Sequence, residues 1–385
     1  MMRLAVSLRL ANDNWDDVAT YAVEAERLGI DDLWSAEAWG HDAATPLAFV
    51  AARTARIRLG TGIMQAGTRT PALVAMTAMS LDAMSGGRFI LGLGVSGPQV
   101  IEGWHGIRFA SPLTRMREIA EIVRRAVRGE RLTYKGKVYE LPLPGGEGKA
   151  LRSAATPRPN IPIYLATLSP KSLEMTGEIA DGWLGTSFVP EHARIFLEPI
   201  ATGAARAGRS IDAIDLQVTA GVVAFSDDVE RLIPARKPGL AFSLGAMGSR
   251  QHNFYNDAYR RAGYVEVAAD VQRLWLDGRR EDAAARVPDE LVLKTNLLGT
   301  DAMVRERLAL YRDAGIDTLR VEPAGETLDA KLATLGRRRS HQSARTRSAL
   351  TFSGRARRGL PPGRSRPDGR RGAETWRAAR SARRR

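Results

Sequence analysis

The sequence predicts a (β/α)8 barrel, in which eight parallel strands alternate with helices around a closed core. Eight short apolar runs of strand length are separated mostly by stretches whose apolar residues have helical spacing. The chain has 385 residues and is 44% apolar, which supplies a large buried core. Segments 26–35 and 312–321 both pass from a helix end through Gly-Ile-Asp into a strand. The same joint therefore recurs at opposite ends of the chain.

The order of the elements follows from local signals. Strands are predicted at 3–8, 32–36, 56–63, 88–94, 161–166, 182–187, 215–225 and 317–323. Helices are predicted at 15–28, 45–54, 71–84, 112–128, 170–180, 191–207 and 300–314. Asn14 is suited to cap the first helix, and Gly29 to end it in the left-handed conformation. Insertions are predicted near 129–160, which is hairpin-like, and near 226–290, which is helical; a doubly wound open sheet is the alternative fold.

The excess positive charge is confined to the C-terminal segment. The formal net charge is +14, but residues 336–385 hold 17 arginines, no lysine and two acidic residues, so the rest is nearly neutral. Few large apolar residues occur there, so we predict a barrel domain at 1–335 and an Arg-rich disordered tail at 336–385. The composition of the tail fits a basic arm and a non-native terminus equally well. Any nucleic-acid interaction would involve this tail alone.

Composition excludes several other classes of protein. Without cysteine the chain has no disulfide, thiolate metal site or cysteine nucleophile. No apolar run reaches the ~20 residues that cross a bilayer. Arg9 and Asp13 stand where a signal peptide would have its apolar core, so we predict a cytoplasmic protein that does not contact the membrane. The five histidines show no metal-ligand spacing, and we predict no metal.

Two motifs follow predicted strands. GLGVSG at 92–97 matches the dinucleotide-binding pattern, but no acidic residue ends a second strand roughly 20 residues later. We interpret it as a close-packed turn whose small residues let a ring or a phosphate approach the backbone. In the second motif, at 169–182, Ser169 can cap a helix, Pro170 can occupy its first turn, and Lys171 adds a positive charge. Such a helix start predicts phosphate binding, and an ordinary capped helix is the alternative.

Longer segments carry a family resemblance. LGTGI at 59–63, together with residues 69–106 and 162–183, resembles the luciferase-like flavin oxidoreductases. The likeness is greatest to their deazaflavin-dependent branch, related to methylene-tetrahydromethanopterin reductase, and residues 247–264 resemble an insertion of that branch. The resemblance implies a bacterial-luciferase-like TIM barrel with insertions, often dimeric, that binds coenzyme F420 at the C-terminal strand ends.

The resemblance also implies individual cofactor contacts. A non-prolyl cis peptide that supports the ring face in this family matches Gly62–Ile63 here. Ser96 and Gln99 match positions near the phosphate-bearing part of the cofactor. The cofactor-binding residues implied in this way are Gly62, Ile63, Met64, Gly94, Ser96, Gln99, Thr167, Leu168, Ser169, Pro170 and Lys171.

The candidate catalytic residues are Glu37, His41 and His105. Alcohol-oxidising members of the family have an Asp-His pair where this chain has Glu37 and Ala38, so the chemistry leans toward the reductase-like members. Glu37 follows a strand and could act as a general acid, whereas a surface acid is the alternative. Each histidine is either a catalyst or a surface residue.

These observations favour an F420-dependent oxidoreductase that transfers a hydride between the deazaflavin and a small organic substrate. An FMN-dependent luciferase-like monooxygenase is the alternative with the same fold. A nucleic-acid-binding protein that acts through the tail is the third hypothesis. We expect a homodimer, and the sequence does not specify the substrate.

Overall fold

The computed structural model describes residues 2–8, 14–247 and 253–337. Met1–Leu335 form one compact unit. Nearly all of the arginine-rich segment 336–385, for which we predict disorder, lies outside the described residues.

The described residues form twelve strands, and eight of them, all parallel, close into a barrel. The strands are β1 (Arg3–Ser7), β2 (Asp32–Ser35), β3 (Arg58–Thr61), β4 (Met64–Gln65), β5 (Phe89–Gly94), β6 (Tyr134–Lys135), β7 (Glu140–Leu141), β8 (Ile163–Ala166), β9 (Gly182–Gly185), β10 (Asp215–Phe225), β11 (Leu297–Gly299) and β12 (Thr318–Pro323). The order around the barrel is β1-β2-β3-β5-β8-β9-β10-β12, and β12 pairs again with β1. The predicted (β/α)8 barrel is confirmed, and the open-sheet alternative is wrong.

Helices surround the barrel. They are α1 (Trp15–Arg27), α2 (Ala44–Ala51), α3 (Pro71–Met84), α4 (Pro98–Ile101), α5 (Pro112–Val127), α6 (Pro170–Ile179), α7 (Arg194–Arg206), α8 (Lys237–Gly245), α9 (Phe254–Arg261), α10 (Val265–Leu276), α11 (Arg280–Ala285), α12 (Asp289–Thr295) and α13 (Asp301–Asp313). Asn14 caps α1 by accepting from the Asp17 N–H at 3.2 Å, and Gly29 follows with a φ of 75°, as predicted. In the described ranges, none of these helices combines the length and the hydropathy that a bilayer span requires.

Two strands were not predicted from the sequence. β4 has two residues and β11 has three, too few to show a strand period. β11 extends the sheet beside the upper half of β10, where Val223 pairs with Leu297. The segment near 226–290 is helical as expected, and its helices form a second apolar cluster around Leu244, Val271 and Leu291.

The interior of the barrel is filled by side chains. Trp34 and Tyr164 are its largest members, and they pack with Ala5, Ile90 and Leu184. Their bulk requires small neighbours: a Cβ on Gly60 of β3 would lie 2.3 Å from the Trp34 ring.

A buried ionic network closes the end of the barrel where the strands begin. Arg58 donates from Nε and Nη2 to the two carboxylate oxygens of Asp32, at 2.6 and 2.7 Å. Asp215 accepts from the Tyr164 hydroxyl at 2.5 Å and pairs with Arg3. The strand starts are therefore sealed, and the opposite end, where barrel ligands bind, forms the mouth.

Candidate active site

Three neighbouring strand ends bring predicted cofactor residues together at the mouth. The chain turns through Gly62 and Ile63 into β4, where Met64 pairs with Leu93. One residue further along β5, Gly94 pairs with Ala166 of β8. The Gly62–Ile63 peptide bond is cis, so this expectation is confirmed.

The two glycines at this edge leave room that no other residue would leave. A Cβ on Gly94 would lie 2.9 Å from Ile63 Cγ1. A Cβ on Gly62 would lie 3.0 Å from Nη1 of Arg320 and 3.1 Å from the Trp34 ring. Both glycines therefore allow close packing at the strand ends: Trp34 and Arg320 fill the space at Gly62, and Ile63 fills the space at Gly94.

The loop from Thr167 to Ser169 is held from several sides. The Thr167 hydroxyl shares a hydrogen bond of 2.7 Å with Thr176, and its carbonyl accepts from the Trp183 indole at 3.0 Å. The Leu168 carbonyl accepts from Arg261 at 2.6 Å. Ser169 caps α6 as predicted, with its hydroxyl 3.4 Å from the Ser172 amide nitrogen. This loop therefore delivers the helix start in a fixed position.

Positive charge lies beside the start of α6. Ser169 and Pro170 line a cavity of about 360 Å³ together with Phe254, Asp257, Arg260 and Arg261. The two arginines come from α9 in the insertion, and no local sequence pattern predicts that they lie here. Unpaired helix N–H groups and a neighbouring guanidinium are the usual partners of a phosphate.

Lys171 points to the other side of α6. It lines a cavity of about 550 Å³ with Arg117 of α5 and with Lys135 and Lys137 of the β6–β7 hairpin; we call these four residues the basic groove. Glu118 fixes the hairpin, because its carboxylate accepts from the backbone N–H groups of residues 137–139 at 2.7 to 3.0 Å. In the described part of the chain, the three lysines form no ion pair with a carboxylate.

Each carboxylate oxygen of Glu37 accepts two hydrogen bonds. Its Oε1 accepts from the Gln65 N–H at 2.8 Å and from Arg69 at 2.5 Å. Its Oε2 accepts from the Ala43 N–H at 3.1 Å and from Arg69 at 2.9 Å. The side chain is 7% exposed, and the Glu37 N–H donates to the Ile63 carbonyl at 3.2 Å. These contacts are those of a carboxylate that positions the loop, and the predicted acid role stays a prediction.

The remaining predicted residues lie on exposed segments. The His41 ring packs edge-on against Trp15, with centroids 5.5 Å apart, and His105 lies in the turn after α4. Ser96 has a φ of 58°, and Gln99 belongs to α4. The structure adds no contact that decides between a catalytic and a surface role, so their roles stay predictions. Within the described residues no group of three or more His, Asp or Glu could hold a metal ion.

Arg320 is a residue of the mouth that the sequence reasoning missed. It lies on β12 and donates to the Thr219 hydroxyl of β10. The available signal was a charged residue in the middle of the strand sequence TLRVEP, where the flanking residues are buried. Burying a charge at such a position costs free energy, so a charged residue there indicates a specific contact.

The barrel and its mouth define a luciferase-like enzyme. Residues 2–318 match the family model described as luciferase-like monooxygenase, so the chain belongs to this family and is an oxidoreductase, as predicted. A putative coenzyme F420-dependent oxidoreductase of Mycobacterium tuberculosis is 44% identical over 80% of this chain and 90% of its own length. A 5,10-methylenetetrahydromethanopterin reductase of Methanolobus tindarius is 34% identical over 52% of this chain and 59% of its own.

A solved structure shares the fold. The coenzyme F420-dependent tetrahydromethanopterin reductase from Methanopyrus kandleri superposes with a TM-score of 0.73 at 24% identity. The match covers 88% of this chain and 98% of that chain.

Proposed function

We propose that the chain is an F420-dependent oxidoreductase that transfers a hydride between the deazaflavin and a small organic substrate. The basic groove is the observation that carries this proposal. F420 continues beyond its phosphate into a polyglutamate tail, whereas FMN ends at the phosphate. Three lysines that form no ion pair with the described residues lie beside the start of α6; they would bind a polyanionic tail, which FMN lacks. The names of the relatives support the same cofactor.

The residues at the mouth fit the other parts of this cofactor. The strand end at Gly94 and the cis peptide bond between Gly62 and Ile63 lie together at the mouth and would face the ring. The start of α6 at Ser169, with Arg260 nearby, would hold the phosphate. When bound, the deazaflavin supplies a hydride donor or acceptor. The chain's own contribution is to hold the ring at the strand ends, orient the substrate and exclude water.

Lysine replacement in the groove tests the cofactor assignment. We expect Lys135→Gln/Lys137→Gln/Lys171→Gln to weaken F420 binding about tenfold, since exposed ion pairs contribute up to about 1 kcal/mol each and are screened by salt. The same variant is expected to bind the ring-and-ribityl deazaflavin, which has neither phosphate nor tail, as the unchanged protein does. Equilibrium titration followed by deazaflavin fluorescence measures both affinities.

The control is Lys149→Gln/Arg152→Gln, which removes positive charge from two exposed residues that do not line the groove. If FMN binds more tightly than F420, the FMN-dependent monooxygenase replaces our proposal. If the triple lysine variant keeps its F420 affinity, the groove is not the tail site. The nucleic-acid hypothesis concerns a segment outside the described residues and stays a prediction, as does the cytoplasmic location.

We also propose that the enzyme is a homodimer that associates through α3. Leu73, Met76 and Met84 lie on one face of this helix and are 46%, 59% and 54% exposed. Three large apolar side chains on one helix face favour burial against another surface, and a second copy offers the same face under twofold symmetry.

A charge placed on this face tests the dimer. We expect Met76→Glu to halve the molar mass measured by size-exclusion chromatography with light scattering, because two buried carboxylates would face each other near the twofold axis. Leu151→Glu, at a loop residue that is 72% exposed, is the control and should leave the mass unchanged. A monomeric parent protein, or a dimer that tolerates Met76→Glu, contradicts the proposal.

A further inference from the structure

Arg320 is a cation in the barrel interior that has no carboxylate partner. Its Nε and Nη2 atoms both donate to one acceptor, Thr219 Oγ1, at 3.0 and 2.7 Å. No carboxylate of the described residues forms an ion pair with it, and the nearby group that acts on its charge is the phenol of Tyr255. A guanidinium carries five N–H donors, so three of them lack an acceptor among the described residues.

The contrast with Arg58 shows how unusual this arrangement is. Arg58 lies at the opposite end of the same barrel, where its Nε and Nη2 donors are matched by both oxygens of Asp32. Burial lowers the pKa of Arg320 to about 10, so its charge persists at neutral pH. A charge that leaves water without a partner costs free energy, and a site that tolerates this cost is expected to be completed by a ligand.

The unpaired end of Arg320 faces a space that a ligand can reach. Arg320 and Thr219 line a cavity of about 340 Å³, which lies within the size range of small-molecule sites. Nη1 lies 3.0 Å from the place where a Cβ on Gly62 would stand, beside the strand end assigned to the cofactor ring. The other charged residues that line the same cavity are Lys331 and three acids, of which Asp17 and Glu326 are exposed and Glu322 is half-buried on β12. A ligand with one anionic group is therefore favoured when that group points inward.

We propose that Arg320 and Thr219 bind a planar oxyanion, most simply a carboxylate, of the substrate. The proposal rests on the proposed function, since it names the substrate class for the same mouth. The Nε hydrogen and one Nη2 hydrogen of Arg320 are already donated to Thr219. The remaining hydrogens lie on the two terminal nitrogens, whose spacing matches the two oxygens of a carboxylate. The interaction fixes one end of the substrate, so that its reacting carbon is presented to the ring in one orientation.

A comparison of carboxylates with their amides tests the inference. Acetate and benzoate, each with its amide, are titrated by calorimetry into the unloaded and the F420-loaded protein. We expect each carboxylate to bind at least about tenfold more tightly than its amide, as charge-assisted pairs do. Arg320→Gln should remove this preference, Arg320→Lys should keep part of it, and Arg305→Gln, at an exposed arginine, should keep all of it. A protein that binds acid and amide equally overturns the proposal.

Thermal unfolding adds a readout that a structural arginine would not give. Without ligand, Arg320→Gln should raise the unfolding temperature by a few degrees, because it removes an uncompensated charge. Arg58→Gln should lower it, because it leaves Asp32 buried without its partner. If both variants lower the unfolding temperature alike, Arg320 is structural and the inference is wrong.

The cofactor is the other source of an oxyanion, and its affinity separates the two. We expect Arg320→Gln to bind F420 within about threefold of the parent protein, whereas a loss of tenfold or more would assign the oxyanion to the cofactor and overturn the substrate assignment. If the parent protein does not bind F420, the proposed function fails. The titrations of the unloaded protein still decide the role of Arg320 in that case.

Discussion

Replacing Glu37 by glutamine is expected to weaken F420 binding about 100-fold, because the carboxylate holds the loop before α2 against the strand end that we propose as the ring site. Four donors converge on its two oxygens, from Gln65, Ala43 and twice from Arg69. A glutamine amide replaces one of these oxygens by an NH2 group, so the two donors at that position face N–H groups instead of an oxygen. Two lost charge-assisted hydrogen bonds are worth about 3 kcal/mol, which is about 100-fold in affinity.

Arg69 supplies the matched variant. If Glu37 acts by positioning, Arg69→Gln should weaken F420 binding and lower the unfolding temperature as Glu37→Gln does. The double variant should then be little worse than either single variant, because the two residues form one interaction. Fluorescence titration and thermal unfolding measure this cycle without any knowledge of the substrate.

The general acid role predicts a different pattern. A residue that only delivers a proton can be changed to its amide with the F420 affinity kept and with kcat for a confirmed substrate lowered about 100-fold. Arg69→Gln would then differ from Glu37→Gln in its pH profile. That pattern would restore Glu37 as a catalytic residue and contradict the positioning role.

The barrel could be predicted because its signals are local. Each long strand or helix carries its own period, and caps such as Asn14 and Ser169 announce helix starts within three residues. β4 and β11 were missed because strands of two and three residues have no period. They exist because the edges of β5 and β10 offer unpaired backbone groups, which is a property of the assembled sheet.

In the candidate site, too, the features with local sequence signals could be predicted and those that depend on the assembled fold could not. The glycines at the strand ends and the start of α6 could be predicted, since small residues and capping patterns are readable in sequence. The partners of these residues could not: Arg69 follows Glu37 by 32 positions, and Arg261 follows Leu168 by 93. Their pairing depends on how the barrel closes and on where the insertion folds back, and no local pattern encodes it. Arg320 lies between these two cases. A charge within a buried strand can be recognised in the sequence, but the sequence does not predict which group it contacts.

Asp32 should give the protein an unusual dependence of stability on pH. The side chain is fully buried at the start of β2, and burial raises its pKa to about 6, although Arg58 acts in the opposite direction. The ordinary value is 3.8, so between these two pH values the folded chain holds the proton more tightly than the unfolded chain does. The contribution of Asp32 to the free energy of unfolding therefore falls as pH rises from about 4 to about 6, by at most about 3 kcal/mol, and is constant above.

Asp32→Asn isolates this contribution, because asparagine keeps the shape of the side chain and does not titrate. Measured by urea unfolding from pH 4 to pH 7, the parent protein should lose stability relative to the variant as pH rises.

Glu26→Gln is the control of opposite sign. Burial raises the pKa of Glu26, but the backbone N–H groups of residues 55–57 outweigh burial and hold the pKa below its ordinary value. The contribution of Glu26 is therefore present above its unfolded pKa and is lost as pH falls, so the parent should gain stability relative to Glu26→Gln as pH rises. If the difference between the parent and Asp32→Asn also grows as pH rises, then Arg58 outweighs burial and Asp32 is an ordinary ion-pair partner.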